Sequence, residues 1–218
     1  MGRLRGKQLV VAAMVVALAC VAPAFAARAG HWKVAFTKAG QAAAAKAVLL
    51  QSDLGAGWTG SGAKPNLAAP RCAGGKTKSA APVAIGAAKI DWTNGSHVTI
   101  KSQAVVLRTA KMVGLDWKHT VAAPQILSCT RKTVLRTLPK DEKLVSLGWQ
   151  RFPHVTKYTR EARAVLSVSG APAVVDFLVI GSGRDELTLT FAAPGLGDGL
   201  GTVELFFARK LVARTQAS

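Results

Sequence analysis

Few residues in this chain have the type and spacing that chemistry needs. Gly74-Gly75-Lys76-Thr77 has the ending of a phosphate-binding loop, in which backbone N–H groups cradle phosphates and a lysine reaches the terminal one. That motif requires glycine five residues before Gly75, but position 70 is Pro, and no apolar helix follows Thr77. Gly195, Gly197, Gly199 and Gly201 sit between a strand pattern and a helix pattern. Their spacing is wrong for a dinucleotide fingerprint, and the chain ends before a second βα unit could supply the ribose-binding acid. His31, His97, His119 and His154 are scattered, without paired-ligand spacing, and no G-x-S-x-G is present. Asp53, Asp91, Asp116 and Asp176 have no sequence reason to meet. These residues nominate no catalytic group, no metal ligand and no cofactor.

Cysteine chemistry is the exception. Cys72 and Cys129 form an even pair in the part of the chain expected to fold, which in an exported protein reads as a disulfide. Export is read from the first residues. Arg3, Arg5 and Lys7 precede an apolar run from Leu9 to Val21, shorter than the roughly 20 residues of a membrane span. Pro23 then breaks the run, and Ala24-Phe25-Ala26 places small residues ahead of a cut after Ala26. Leu18-Ala19-Cys20 supports a competing reading, in which Cys20 carries a lipid and the protein is a lipoprotein. Residues 1–26 are thus expected to be a signal peptide, leaving no transmembrane anchor in the mature chain and a secreted or cell-envelope location.

Twenty-nine Lys and Arg against 11 Asp and Glu give the 218-residue chain a net charge of +18. Loss of residues 1–26 removes three cations and no acid, leaving +15. Such a field attracts anionic polymers and head groups. The basic residues are spread from Lys33 to Arg214 with no aromatic-basic interleave, so nucleic acid is not an expected partner. The densest group, Arg131, Lys132, Arg136 and Lys140, reads as the wet side of a helix.

The elements that would position these residues follow from periodicity. Residues 27–36 read as a flexible lead-in and 37–216 as one domain. Thr37 can cap a helix with Ala42, Ala45, Leu49 and Leu50 inward. Residues 60–86 read as a long loop pinned by Cys72. Ala88–Trp92 and Val98–Leu107 flank Asn94-Gly95, a hairpin-turn dipeptide, although Asn94-Gly95-Ser96 also matches a glycosylation acceptor. Val98, Ile100, Ser102, Ala104 and Val106 share the face expected to be buried, and Thr99, Lys101 and Gln103 the wet one. Helices are expected after Thr109 and around Leu127–Leu138, with Cys129 on the second. Extended runs at 143–152, 157–169, 173–181 and 185–192 are joined by Gly170-Ala171-Pro172 and Gly181-Ser182-Gly183, and Val203, Phe206, Phe207 and Leu211 mark a last helix. Antiparallel runs with helices at both ends imply an α+β fold, with helices packed on one face of an antiparallel sheet.

The passage Ala47-Val48-Leu49-Leu50-Gln51-Ser52-Asp53-Leu54-Gly55-Ala56-Gly57-Trp58 resembles the opening of many exported actinobacterial proteins, whose domain is similar to the extracellular sensor domain of membrane-anchored serine/threonine kinases. Val105-Val106-Leu107-Arg108, Leu127-Ser128-Cys129, Phe177-Leu178-Val179-Ile180 and the Leu205–Arg214 helix extend the resemblance over roughly 40–215. It implies a cleft for a ligand and no catalytic residues. This chain departs by having two rather than four mature cysteines and no kinase domain. The expectation is an exported, non-enzymatic binding domain for a small or lipid-like ligand in an apolar gap, with Trp58, Trp92, Trp117 and Trp149 as lining. The alternatives are a basic envelope protein that binds anionic polymers or head groups, and a secreted hydrolase.

Overall fold

A computed structural model of the chain describes residues 32–67, 81–197 and 199–217. The leader with Cys20 and Ala26, His31, Cys72 and the Gly74–Thr77 motif lie outside them.

Eight strands form one sheet: β1 (Lys33–Val34), β2 (Trp58–Gly62), β3 (Val83–Asn94), β4 (Thr99–Leu107), β5 (Glu142–Gln150), β6 (Tyr158–Val168), β7 (Ala171–Ser182) and β8 (Asp185–Pro194). Their order is β1-β3-β4-β8-β7-β6-β5, with β2 also on the outer edge of β3, and every pairing is antiparallel except the short β1–β3 one. The helices are α1 (Lys38–Lys46), α2 (Gln51–Leu54), α3 (Ala110–His119), α4 (Ile126–Thr137) and α5 (Leu200–Gln216). The α+β class and the antiparallel sheet are as the sequence predicts. No helix among the described residues is long and apolar enough to cross a membrane.

The helices do not share one face. Leu178, Ile180, Leu187, Leu189, Phe191 and Ile100 point to the side covered by α1 and α5, where Phe207, Ala208 and Leu211 meet them. Phe177, Val175, Ala162 and Ala164 point the other way, onto Val134 of α4, and Val105 and Leu107 onto Val113 of α3. β4 is therefore buried on both sides. Thr99 and Gln103, expected in water, are buried, and Gln103 satisfies its amide on the backbone of Asn66 (2.8 and 3.2 Å). A polar residue whose hydrogen bonds are met can sit inside, so alternation misreads such a strand.

Other expectations shift for similar local reasons. Thr37 does cap α1, accepting from the Gly40 N–H at 2.9 Å, but the inward residues are Ala44, Ala47, Val48 and Leu49. The described part of the lead-in is held: Trp32 is buried, and β1 pairs with β3. The Asn94 hairpin closes through a longer loop. The Asn94 side chain accepts from the N–H groups of Ser96 and Val98, and the left-handed residue is His97 rather than Gly95. The β6–β7 turn is Ser169-Gly170, both at positive φ, which suits a two-residue hairpin. In α5 the buried stripe is Glu204, Phe207, Ala208, Leu211 and Val212, whereas Val203 and Phe206 face solvent.

Candidate functional site

The core closes tightly. Between α3, the start of α4 and the sheet there remains only about 20 Å³, room for one water, with Trp117 on its wall. No apolar gap of ligand size opens there, and the tryptophans are used for packing. Trp92 is buried and donates to the Leu49 carbonyl at 3.3 Å; Trp58 packs on the same cluster. Trp149 lies under the Arg160 guanidinium at 3.7 Å, and Trp117 meets Tyr158 at 5.6 Å between ring centres.

Larger spaces open at the molecule's surface. One, of about 600 Å³, lies beside α3 and the β7–β8 turn and is lined by residues such as Lys111, Leu115, Lys157 and Tyr158. The other, of about 550 Å³, is bounded by the N-terminal part of α5 (Gly201, Thr202, Leu205), the connection after β5 (Gln150, Arg151, Phe152, Pro153) and β6 (Glu161, Arg163). The second ends on buried charge, which makes it the candidate site.

Register explains that charge. Arg163 pairs with Asp176 across β6 and β7, and Glu161 pairs with Leu178, so Glu161, Arg163 and Asp176 project from the α5 side of the sheet. Arg163 holds Asp176 in a fork, with Nε to Oδ1 at 2.7 Å and Nη2 to Oδ2 at 2.6 Å, bidentate geometry that orients both groups. Above them stands Glu204, one turn into α5. Glu161 is 4% exposed, and Asp176 and Glu204 are 0% exposed. No donor reaches either Glu204 oxygen, and its neighbours Asp176 and Glu161 can pair only with its protonated form. Burial, then the charges of Asp176 and Glu161, push the Glu204 carboxyl up to about 10, so it is neutral at pH 7. Burial also raises Glu161. The hydrogen bond from Arg163 to Asp176 raises the guanidinium further.

The structure thus brings together one of the four acids weighed from sequence, Asp176, with two that were not, Glu161 and Glu204. The remaining three are dispersed. Asp53 is held by Lys210 at 3.0 Å and by Arg214, Asp91 by Lys89 at 3.4 Å, and Asp116 accepts from the Thr120 hydroxyl at 3.3 Å. His97, His119 and His154 stand on separate elements. Cys129 is half-buried on α4. A signal was present for two of the three clustered acids: Glu204 occupies an apolar-stripe position of α5, and Asp176 interrupts the apolar run Ala173–Ile180, whereas nothing in the sequence singled out Glu161.

No family model matches the chain, and no curated protein matches it. Among solved structures it is similar to the extracellular domain of PknH from Mycobacterium tuberculosis, with 6% identity, a TM-score of 0.47, and coverage of 87% of this chain and 100% of that one. That is an extracellular domain, the kind the sequence motifs resemble. A likeness at this level lends no support to a functional assignment, which the site's own geometry has to carry.

Proposed function

We propose that this chain is an exported, non-enzymatic binding domain that holds a small or lipid-like extracytoplasmic ligand in the hollow between α5 and the connection after β5. The observation that carries this reading is an open space of about 550 Å³ ending on buried ionic groups, whereas the gap under α3 and α4 holds no more than a water. Binding sites combine apolar walls with a few fixed polar groups. Here Phe152, Pro153 and Leu205 supply the walls, and Glu161 and Arg163 supply the polar end. The leader supports export, with cleavage after Ala26 or lipidation of Cys20, and a Cys72–Cys129 disulfide fits an oxidising location. An ester or peptide hydrolase has less support, because the described residues that line the hollow include no Ser, Cys or His to act as nucleophile or base.

Native mass spectrometry of the protein purified from its own host tests the proposal. The wild type is expected to carry a discrete extra mass. Gly201→Trp should lose it and still fold, because a Cβ at Gly201 meets nothing within 4 Å. A wild type at its bare polypeptide mass would overturn the reading.

One observation favours a second reading, attachment to anionic phosphate polymers of the envelope. Seven of the ten acids among the described residues are buried, which leaves the exterior strongly basic. The salt dependence of binding to purified walls tests it.

A further inference from the structure

Glu161, Asp176 and Glu204 come from β6, β7 and α5, and each offers a carboxylate oxygen such that these atoms all lie within 4.8 Å of one another. Acid clusters are common, but two further features set this one apart. Glu204 is 0% exposed, and neither of its oxygens meets a hydrogen-bond donor, a cost to the carboxylate that only a retained proton or a cation in the cluster relieves. Glu161 also lines the 550 Å³ hollow, which gives solvent and ions a path to the cluster.

We infer that Glu161, Asp176 and Glu204 form a binding site for one hard divalent cation of calcium size. The donors are all carboxylate oxygens, the set that selects hard cations over zinc or copper. Charge agrees with valence. A cation entering the cluster displaces the proton that burial holds on Glu204, and the three carboxylates and the Arg163 guanidinium then sum to two negative charges, which one divalent ion balances. Size is compatible with calcium. Calcium binds oxygen at about 2.3–2.6 Å, so opposite donors stand up to about 5 Å apart, whereas magnesium at about 2.0–2.1 Å needs them near 4 Å. Oxygens that all lie within 4.8 Å of one another can be bridged by an ion of calcium size, whose coordination tolerates the irregular placement of three carboxylates on separate elements. Arg163 takes one lone-pair direction on each Asp176 oxygen and leaves others free, so it acts as a positioning residue for a ligand rather than as its competitor. Water entering from the hollow would complete the coordination.

The inference rests on the reading of the hollow as a binding site only for the path to Glu161. Its test is separate. The chain purified from its own host is stripped with chelator, then studied by equilibrium dialysis and thermal unfolding with calcium chloride or magnesium chloride. The expected result is one calcium per chain, at least tenfold preference over magnesium, and an unfolding midpoint raised by about 5–10 °C at a hundredfold excess over Kd. Glu204→Gln keeps the side chain's size without its charge, so it should unfold near the stripped wild type and lose the calcium response. Glu161→Gln, at the hollow's wall, provides the same readout should Glu204→Gln fail to fold. No calcium bound by the wild type at millimolar concentration, or an undiminished response in the folded variants, overturns the inference. Neither result bears on a retained organic ligand, which mass spectrometry detects independently.

Discussion

Asp185 opens β8 with its side chain buried, and burial pushes its carboxyl up to about 6, against the partial opposition of neighbouring Arg184. Between pH 3.8 and about 6 the folded chain holds a proton there that the unfolded chain has released. Proton uptake by the folded state means that the contribution of Asp185 is full below this window, is lost as pH rises through it and changes no further above. A shift of about two units corresponds to about 3 kcal/mol. Burial raises Glu142 in the same direction. Asp53 acts oppositely: burial disfavours its charge, but hydrogen bonds from Arg214, the Leu50 N–H and Lys210 more than offset this, so its contribution is lost only in stronger acid. Urea unfolding should therefore show Asp185→Asn losing about 3 kcal/mol less than the wild type between pH 4 and pH 6.5, the fall that remains in the variant coming from Glu142, Glu161 and Glu204. Parallel curves for the two proteins would refute the assignment. This residue scale was the least legible in the sequence. Asp53 stands in the motif that carries the family resemblance, yet its observed role is to tie α2 to the end of α5. Glu204 was hidden because a lone acid in a helix reads as exposed until the neighbours on its stripe are known to be buried.

Elements were more legible, because periodicity is a local property. Thr37, the Asn94 hairpin, Pro139 after α4 and the alternation of β8 each marked an element that the structure contains. Faces were not, because burial of a strand's second side depends on helices distant in sequence. The clearest case of such a long-range contact is α1 crossing β3. A Cβ on Gly86 would lie 1.9 Å from the Gly40 carbonyl oxygen, and one on Gly40 would lie 2.1 Å from the Ile85 carbonyl oxygen. Gln41 completes the junction by accepting from the Ala87 N–H at 2.7 Å. Two backbones in contact cannot yield as a flexible side chain can, so even one methyl forces the helix off the sheet. Gly86→Ala should cost about 3 kcal/mol by urea denaturation. Gly62→Ala, where a Cβ meets nothing within 4 Å, should stay within about 0.5 kcal/mol of the wild type. Equal effects of the two substitutions would show that the crossing does not constrain the fold.

At the scale of the whole molecule, charge is partitioned by depth. Asp116, Glu142, Glu161, Asp176, Asp185, Glu186 and Glu204 are buried, while among the described residues no lysine or arginine is. The formal excess of cations therefore understates how positive the exterior is. The Arg131, Lys132, Arg136 and Lys140 group is exposed along α4 and its end, as the sequence predicts. A dispersed field of this kind has no pocket to saturate. It binds a polyanion by releasing the polymer's counterions, and the affinity falls steeply as salt shortens the screening length from about 10 Å at 0.1 M to about 3 Å at 1 M. Cosedimentation with purified walls rich in phosphate polymer should drop at least tenfold between 0.05 and 0.5 M sodium chloride, and should be abolished when the polymer is extracted. Gly201→Trp, which fills only the hollow, should cosediment like the wild type. Binding that survives both high salt and polymer extraction would exclude the basic exterior as its source.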